Sequence, residues 1–262
     1  MFNRLSFNSL VCVVALLFAG CSPRSTDTLV VGMELSYPPF EMTAENGQPA
    51  GVSVDLAQDL GQFLGKKVRI ENCSFDGLIP SLKTGRIDLI LSSMTATPER
   101  SLSVDFSEPY LKTGLSLLIS AKSDLPSIET ADQPGKVIVV KKGTTGQIYV
   151  EEHLKQAKIL VLDKESACVL EVTQGKADAF IYDQMSVFTN WQHNQSSTRA
   201  VLVPFHEESW AIAVRKGNPG LLKEVNAFLA DYRSKNGFGK LGDHWLADQK
   251  STFKKMGIPF CF

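Results

Sequence analysis

Charge of one sign, clustered histidine and long hydrophobic runs are all missing from this sequence. Lys and Arg number 27 against 28 Asp and Glu, for a net charge of −1. No basic run is longer than Lys141-Lys142 or Lys254-Lys255. A nucleic-acid partner needs a basic face, so bulk electrostatics points to none. The four histidines, His153, His193, His206 and His244, are scattered, and no Gly-x-Ser-x-Gly elbow is present. A hydrolytic triad or a histidine metal site is therefore not expected. The five cysteines are too irregularly spaced for a metal cluster, so no metal and no cofactor is expected. Cys73 and Cys168 read as buried free thiols. The longest apolar core, Leu10–Phe18, is too brief to span a bilayer. What remains is an ordinary globular composition, 44% hydrophobic and 21% charged over 262 residues, enough for one large or two small domains.

The first residues stand apart. Arg4, the apolar stretch Leu10–Phe18 and the small pair Ala19-Gly20 precede Cys21, which resembles a bacterial lipoprotein signal with Phe18 where the lipobox more usually has Leu. That implies a signal peptide over residues 1–20, acylation of Cys21, and a polar tether over 21–27. The protein is then expected to be periplasmic or at the cell surface, anchored to a membrane through Cys21 and not spanning it.

From there the chain alternates. Thr28–Met33 reads as a strand, and the Pro38-Pro39 pair keeps the following loop from being helical. Val52, Leu56, Leu60 and Phe63/Leu64 recur at helical spacing, predicting a helix over Gly51–Leu64 that Gly65 stops. Lys67–Glu71 is a strand, Asp76 an N-cap for a helix Gly77–Thr84, and Ile87–Leu91 a third strand. A second β-α-β-α-β run follows: strand Val137–Val140, helix Gln147–Leu154, strand Ile159–Leu162, helix Lys164–Gln174 and strand Ala179–Tyr182 ending on Asp183. The halves share a phrase, since Gly85–Ile90 and Gly175–Phe180 both read Gly, basic, apolar, Asp, apolar, apolar, about ninety residues apart. A strand Trp210–Arg215, an amphipathic helix after Pro219 and a short helix Phe238–Leu246 close the chain. Leu115–Ser120 and Phe205–Ala211 read as two crossings between lobes. The expected fold is α/β: a two-lobed clamshell, each lobe a doubly wound sheet, with 28–114 and 209–262 in lobe I and 115–208 in lobe II.

Candidate site residues gather at strand ends, where open α/β sheets hold ligands. In Leu91–Arg100, LSSMTATPER, an apolar strand runs into hydroxyl residues and one arginine, whose planar fork suits a carboxylate. The phrases SYPPFE (Ser36–Glu41), GVSVDLAQDL (Gly51–Leu60), FDGLIPSLKTGRIDLILSSMTATPER (Phe75–Arg100), VDFSEPY (Val104–Tyr110), KKGTTGQ (Lys141–Gln147) and GKADAFIYD (Gly175–Asp183) together resemble the polar amino-acid-binding family of bacterial solute-binding proteins. These are extracytoplasmic receptors of ABC importers with the periplasmic-binding-protein fold, and the sequence resembles the arginine- and basic-amino-acid-binding lipoproteins among them.

The resemblance implies a receptor and not an enzyme, working as a monomer with a small-molecule amino acid and a membrane-embedded ABC permease as partners. It places Arg100 at the ligand α-carboxylate, assisted by Thr95 and Ser93 and completed from the second lobe by Thr144 and Thr145 at a helix N-terminus. Asp183 falls at the α-ammonium, and Tyr37 and Phe75 sandwich the side chain. Met94 and Gln147 complete the ligand-binding set. The family often has Gly where Ser93 stands. Glu34, just ahead of Tyr37, falls where basic-amino-acid binders carry an acid, favouring arginine, then lysine, ornithine or histidine, over glutamine. Glutamine binders of the family can also carry an acid there, so a glutamine or other polar ligand, or a sensory surface lipoprotein on the same fold, stays open.

Overall fold

The computed structural model describes residues 27–260. The signal peptide, Cys21, most of the tether and Cys261 lie outside the described residues.

The clamshell is built from two five-stranded sheets of matching plan. The first runs, in spatial order, Lys67–Asn72, Thr28–Met33, Leu89–Ile90, Ala213–Arg215, Val104–Phe106. Its first three strands are parallel, and Ala213–Arg215 pairs antiparallel with both neighbours. The second runs Lys158–Leu162, Val137–Lys141, Ala179–Asp183, Leu111–Ser120, Thr198–Trp210, again three parallel strands followed by antiparallel pairing. Parallel strands buried on both faces need continuous apolar runs. Leu29–Met33 and Ala179–Asp183 are accordingly buried throughout.

The shared phrase has one physical meaning in both lobes. Asp88 accepts from the Val30 amide at 2.8 Å, and its own amide donates to the Val30 carbonyl at 2.8 Å. Asp178 accepts from the Val137 amide at 2.8 Å and donates to the Val137 carbonyl at 2.7 Å. Each Asp thus ties the start of the third parallel strand to the first.

The long strands Leu111–Ser120 and Thr198–Trp210 pair antiparallel from Thr198 opposite Ser120 to Trp210 opposite Leu111. Where they approach, Gly114 leaves no room for a side chain, because a Cβ there would lie 2.4 Å from the His206 carbonyl oxygen. Their far ends reach the first lobe: Ala96 donates to the Ser209 carbonyl at 3.1 Å and Ala211 to the Met94 carbonyl at 3.0 Å.

Several elements differ from expectation. Asp76 does not cap a helix: Phe75–Gly77 is a short 3₁₀ turn, and the helix Leu78–Lys83 begins after Gly77 without a side-chain cap. The Asp76 carboxylate pairs with Lys142 of the other lobe at 3.0 Å. Helices Gln184–His193 and Ala247–Met256 were not predicted. The latter carries a fully buried Phe253, whose ring meets Phe188 of Gln184–His193 edge-on at 4.8 Å. Cys168 is buried, whereas Cys73 is only half-buried, and both are free thiols.

Candidate functional site

A narrow cleft of about 30 Å³ lies between the lobes, at the carboxyl ends of the parallel strands. A small sheet shapes one wall. In it Tyr37 pairs with Glu41 across the Pro-Pro turn, which sets both side chains at the cleft. Of the expected residues, Glu34, Tyr37, Phe75, Ser93, Thr95, Arg100, Thr144, Thr145 and Asp183 line it. Two do not. Met94 turns into the lobe I core at 1% exposure, as an apolar side chain between polar neighbours should. Gln147 accepts from the Gly143 amide at 2.7 Å and donates to Glu151 at 2.7 Å, supporting the turn from outside the cleft.

Arg100 projects from the turn Pro98–Ser101, whose N-cap Thr97 accepts from the Arg100 amide at 3.2 Å. The guanidinium is held by two carbonyls: Nη1 donates to Thr95 O at 2.6 Å, and Nη2 crosses to the second lobe to meet Gly143 O at 3.0 Å. Burial lowers its pKa to about 10, so it stays protonated at neutral pH. Opposite, Asp183 ends its strand and caps the helix Gln184–His193, accepting from the Met185 and Ser186 amides at 3.0 and 3.1 Å. The Tyr37 hydroxyl donates to the same carboxylate at 2.5 Å. Burial nevertheless pushes Asp183 up to about 7, against the pull of these donors. The Tyr37 ring is fixed by stacking on Phe40 at 5.3 Å and by the edge of Trp210 at 6.0 Å.

Three charged residues at the site escaped sequence reasoning. Glu41, 1% exposed, accepts from the hydroxyls of Ser53 at 2.6 Å, Ser93 at 3.0 Å and Ser92 at 3.3 Å. Ser93 adopts φ 48, a left-handed conformation that explains the family's glycine there, and here a hydroxyl is gained in exchange. Burial raises Glu41 to about 8 despite the three hydroxyls. Glu208, inside the stretch read only as a crossing, accepts from Thr95 Oγ1 at 3.0 Å and also from Thr145, while burial raises its pKa. Thr95 and Thr145, two of the three threonines expected at a ligand carboxylate, thus hold a carboxylate of the protein, and Thr144 donates instead to the Lys141 carbonyl at 2.7 Å. Lys141, read only as the opening residue of the KKGTTGQ phrase, is 2% exposed and ion-paired with Glu34 across the lobes. Its position directly before the Gly143 turn was the available signal for it. Phe75 lies between two cations, 5.5 Å from both Arg100 Cζ and Lys141 Nζ.

Among the described residues no cluster of His, Cys, Asp and Glu could hold a metal ion, and no helix is long and apolar enough to cross a membrane. Two α/β lobes closing on a cleft whose walls present a cation and carboxylates define a clamshell solute-binding protein. The chain belongs to family 3 of the bacterial extracellular solute-binding proteins, whose sequence model matches residues 29–248. It is 32% identical over 221 residues to the ABC transporter arginine-binding protein 1 of Escherichia coli K12, covering 82% of this chain and 89% of that one. To the L-cystine-binding protein TcyJ of the same organism it is 29% identical over 224 residues, covering 85% and 84%. An ancestral arginine-binding protein bound to arginine superposes with a TM-score of 0.79 at 33% identity, over 84% of this chain and 98% of that one.

Proposed function

We propose that the protein is the amino-acid receptor of an ABC importer, binding a basic amino acid, arginine foremost, between lobes that close on it without chemical turnover. The observation that carries this reading is the pairing of Arg100 on one wall with Asp183 on the other. An α-carboxylate and an α-ammonium shut away from water must each meet an opposite charge, or their burial costs several kcal/mol. Among the described residues Arg100 has only neutral carbonyl partners within hydrogen-bond reach, with Glu208 acting on it at longer range, so a ligand carboxylate adds a direct ionic partner. Glu34 and Phe75 both line the cleft, an acid and an aromatic face that together favour a cationic ligand side chain. Arginine-binding relatives support the same choice. Closure then follows ligand because the ligand binds the closed state better, and the closed form is what the permease would engage. Acylation at Cys21 and a monomeric state belong to the same proposal.

A second reading, an uncharged polar side chain such as glutamine, is favoured by the Glu34–Lys141 pair, which already neutralises the acid nearest Tyr37. Calorimetric titration of protein stripped of carried-over ligand separates the two. Micromolar or tighter binding of arginine or lysine, at least tenfold stronger than glutamine, supports the first. Preference for glutamine replaces it with the second, and no binding of any amino acid rejects both.

A further inference from the structure

The place where a basic side chain would rest already holds a cation of the protein. Lys141 Nζ is ion-paired with Glu34 and lies 5.5 Å from the centre of the Phe75 ring. An acid and an aromatic face together are the pair of groups that receives an ammonium or guanidinium. Both backbones are pinned. The Lys141 carbonyl accepts from Thr144 Oγ1 at 2.7 Å, and the residue pairs with Leu162 at the end of its strand. The Glu34 amide donates to Ser92 Oγ at 3.0 Å. What can move is the flexible four-carbon stem of the lysine, which carries a compact charge and no planar fork.

We propose that Lys141 is a tethered competitor for the ligand's side-chain cation. It is seated on Glu34 and Phe75 and is displaced when a basic amino acid enters. The inference rests on the amino-acid-receptor reading above. It makes Lys141 a specificity-determining residue: it weakens cationic ligands and leaves uncharged ones almost untouched. It also favours arginine over lysine, because a guanidinium can bond a carboxylate through two parallel N–H groups where the resident ammonium cannot.

The test is calorimetric titration of ligand-stripped wild type, Lys141→Met and Lys141→Arg with arginine and with glutamine. Lys141→Met is expected to tighten arginine at least tenfold and to change glutamine less than threefold. Lys141→Arg, which keeps a resident cation, should not raise the ratio of arginine to glutamine affinity above that of wild type. Adding Glu34→Gln to Lys141→Met should cancel the gain. An unchanged ratio in Lys141→Met overturns the proposal, as does an equal loss for both ligands, which would make the lysine a strut for lobe closure. If Lys141→Met does not fold, Lys141→Gln takes its place with the same expectations. Folded wild type that binds no protein amino acid is a different result: it rejects the receptor reading itself.

Discussion

Arg100 concentrates the chemistry of the cleft in one side chain. At 8% exposure it carries a charge that two carbonyls solvate but do not neutralise, and removing it would leave a bound carboxylate unpaired in a dry site. Arg100→Ala is expected to cost about 3–5 kcal/mol of binding, read by calorimetry as a loss of a hundredfold or more for every amino acid bound. The buried carboxylates bear on pH. Asp183 and Glu41 sit at about 7 and about 8 when folded, above their ordinary values of 3.8 and 4.5. The folded state therefore holds more protons than the unfolded one in between. Stability of the ligand-free protein is full below pH 4 as far as these groups go, and is lost as pH rises through 7 and 8. Urea midpoints should fall from pH 5 to pH 8, and saturating arginine should flatten that fall in part by supplying an ammonium to Asp183. Arg100 and Asp183 could be picked out from sequence because both lie in matched phrases, Asp183 at the end of its strand and Arg100 in the turn that follows one. Glu41 could not, since Ser92 and Ser93, two of the three serines around it, stand more than fifty residues away, and no local pattern announces that meeting.

At the level of elements, the repeated Gly-basic-apolar-Asp phrase is the clearest case of sequence showing structure. Asp88 and Asp178 clamp the first strand of each lobe in the same way. Val30 is buried, so Asp88→Ala strands its amide and should destabilise the fold by about 1–3 kcal/mol, measured as a lower urea midpoint. The amphipathic helix Val52–Leu64 was visible through its apolar spacing, and Gly65 does end it in a left-handed cap. The helix Ala247–Met256 was not visible, because Phe253 is its one buried residue and periodicity needs several. Asp76 failed as a cap for a related reason: its partner, Lys142, comes from the other lobe, 66 residues on, and no local pattern brings them together.

Across the whole molecule, the lobes meet through contacts of unequal weight. The Lys142–Asp76 bridge is exposed on both sides and such pairs contribute about 0–1 kcal/mol. Asp76→Asn should therefore change arginine affinity less than about threefold by calorimetry. The Arg100–Gly143 hydrogen bond is partly buried and the Tyr37–Asp183 bond buried, and they join the same groups proposed to grip a ligand, so the proposed function makes binding and closure one event. The most direct test of that account is the thermal-unfolding shift of ligand-stripped protein with arginine at a hundredfold excess over Kd. Stabilisation by about 2.7 kcal/mol is the expected result. A melting temperature that no amino acid moves would contradict it.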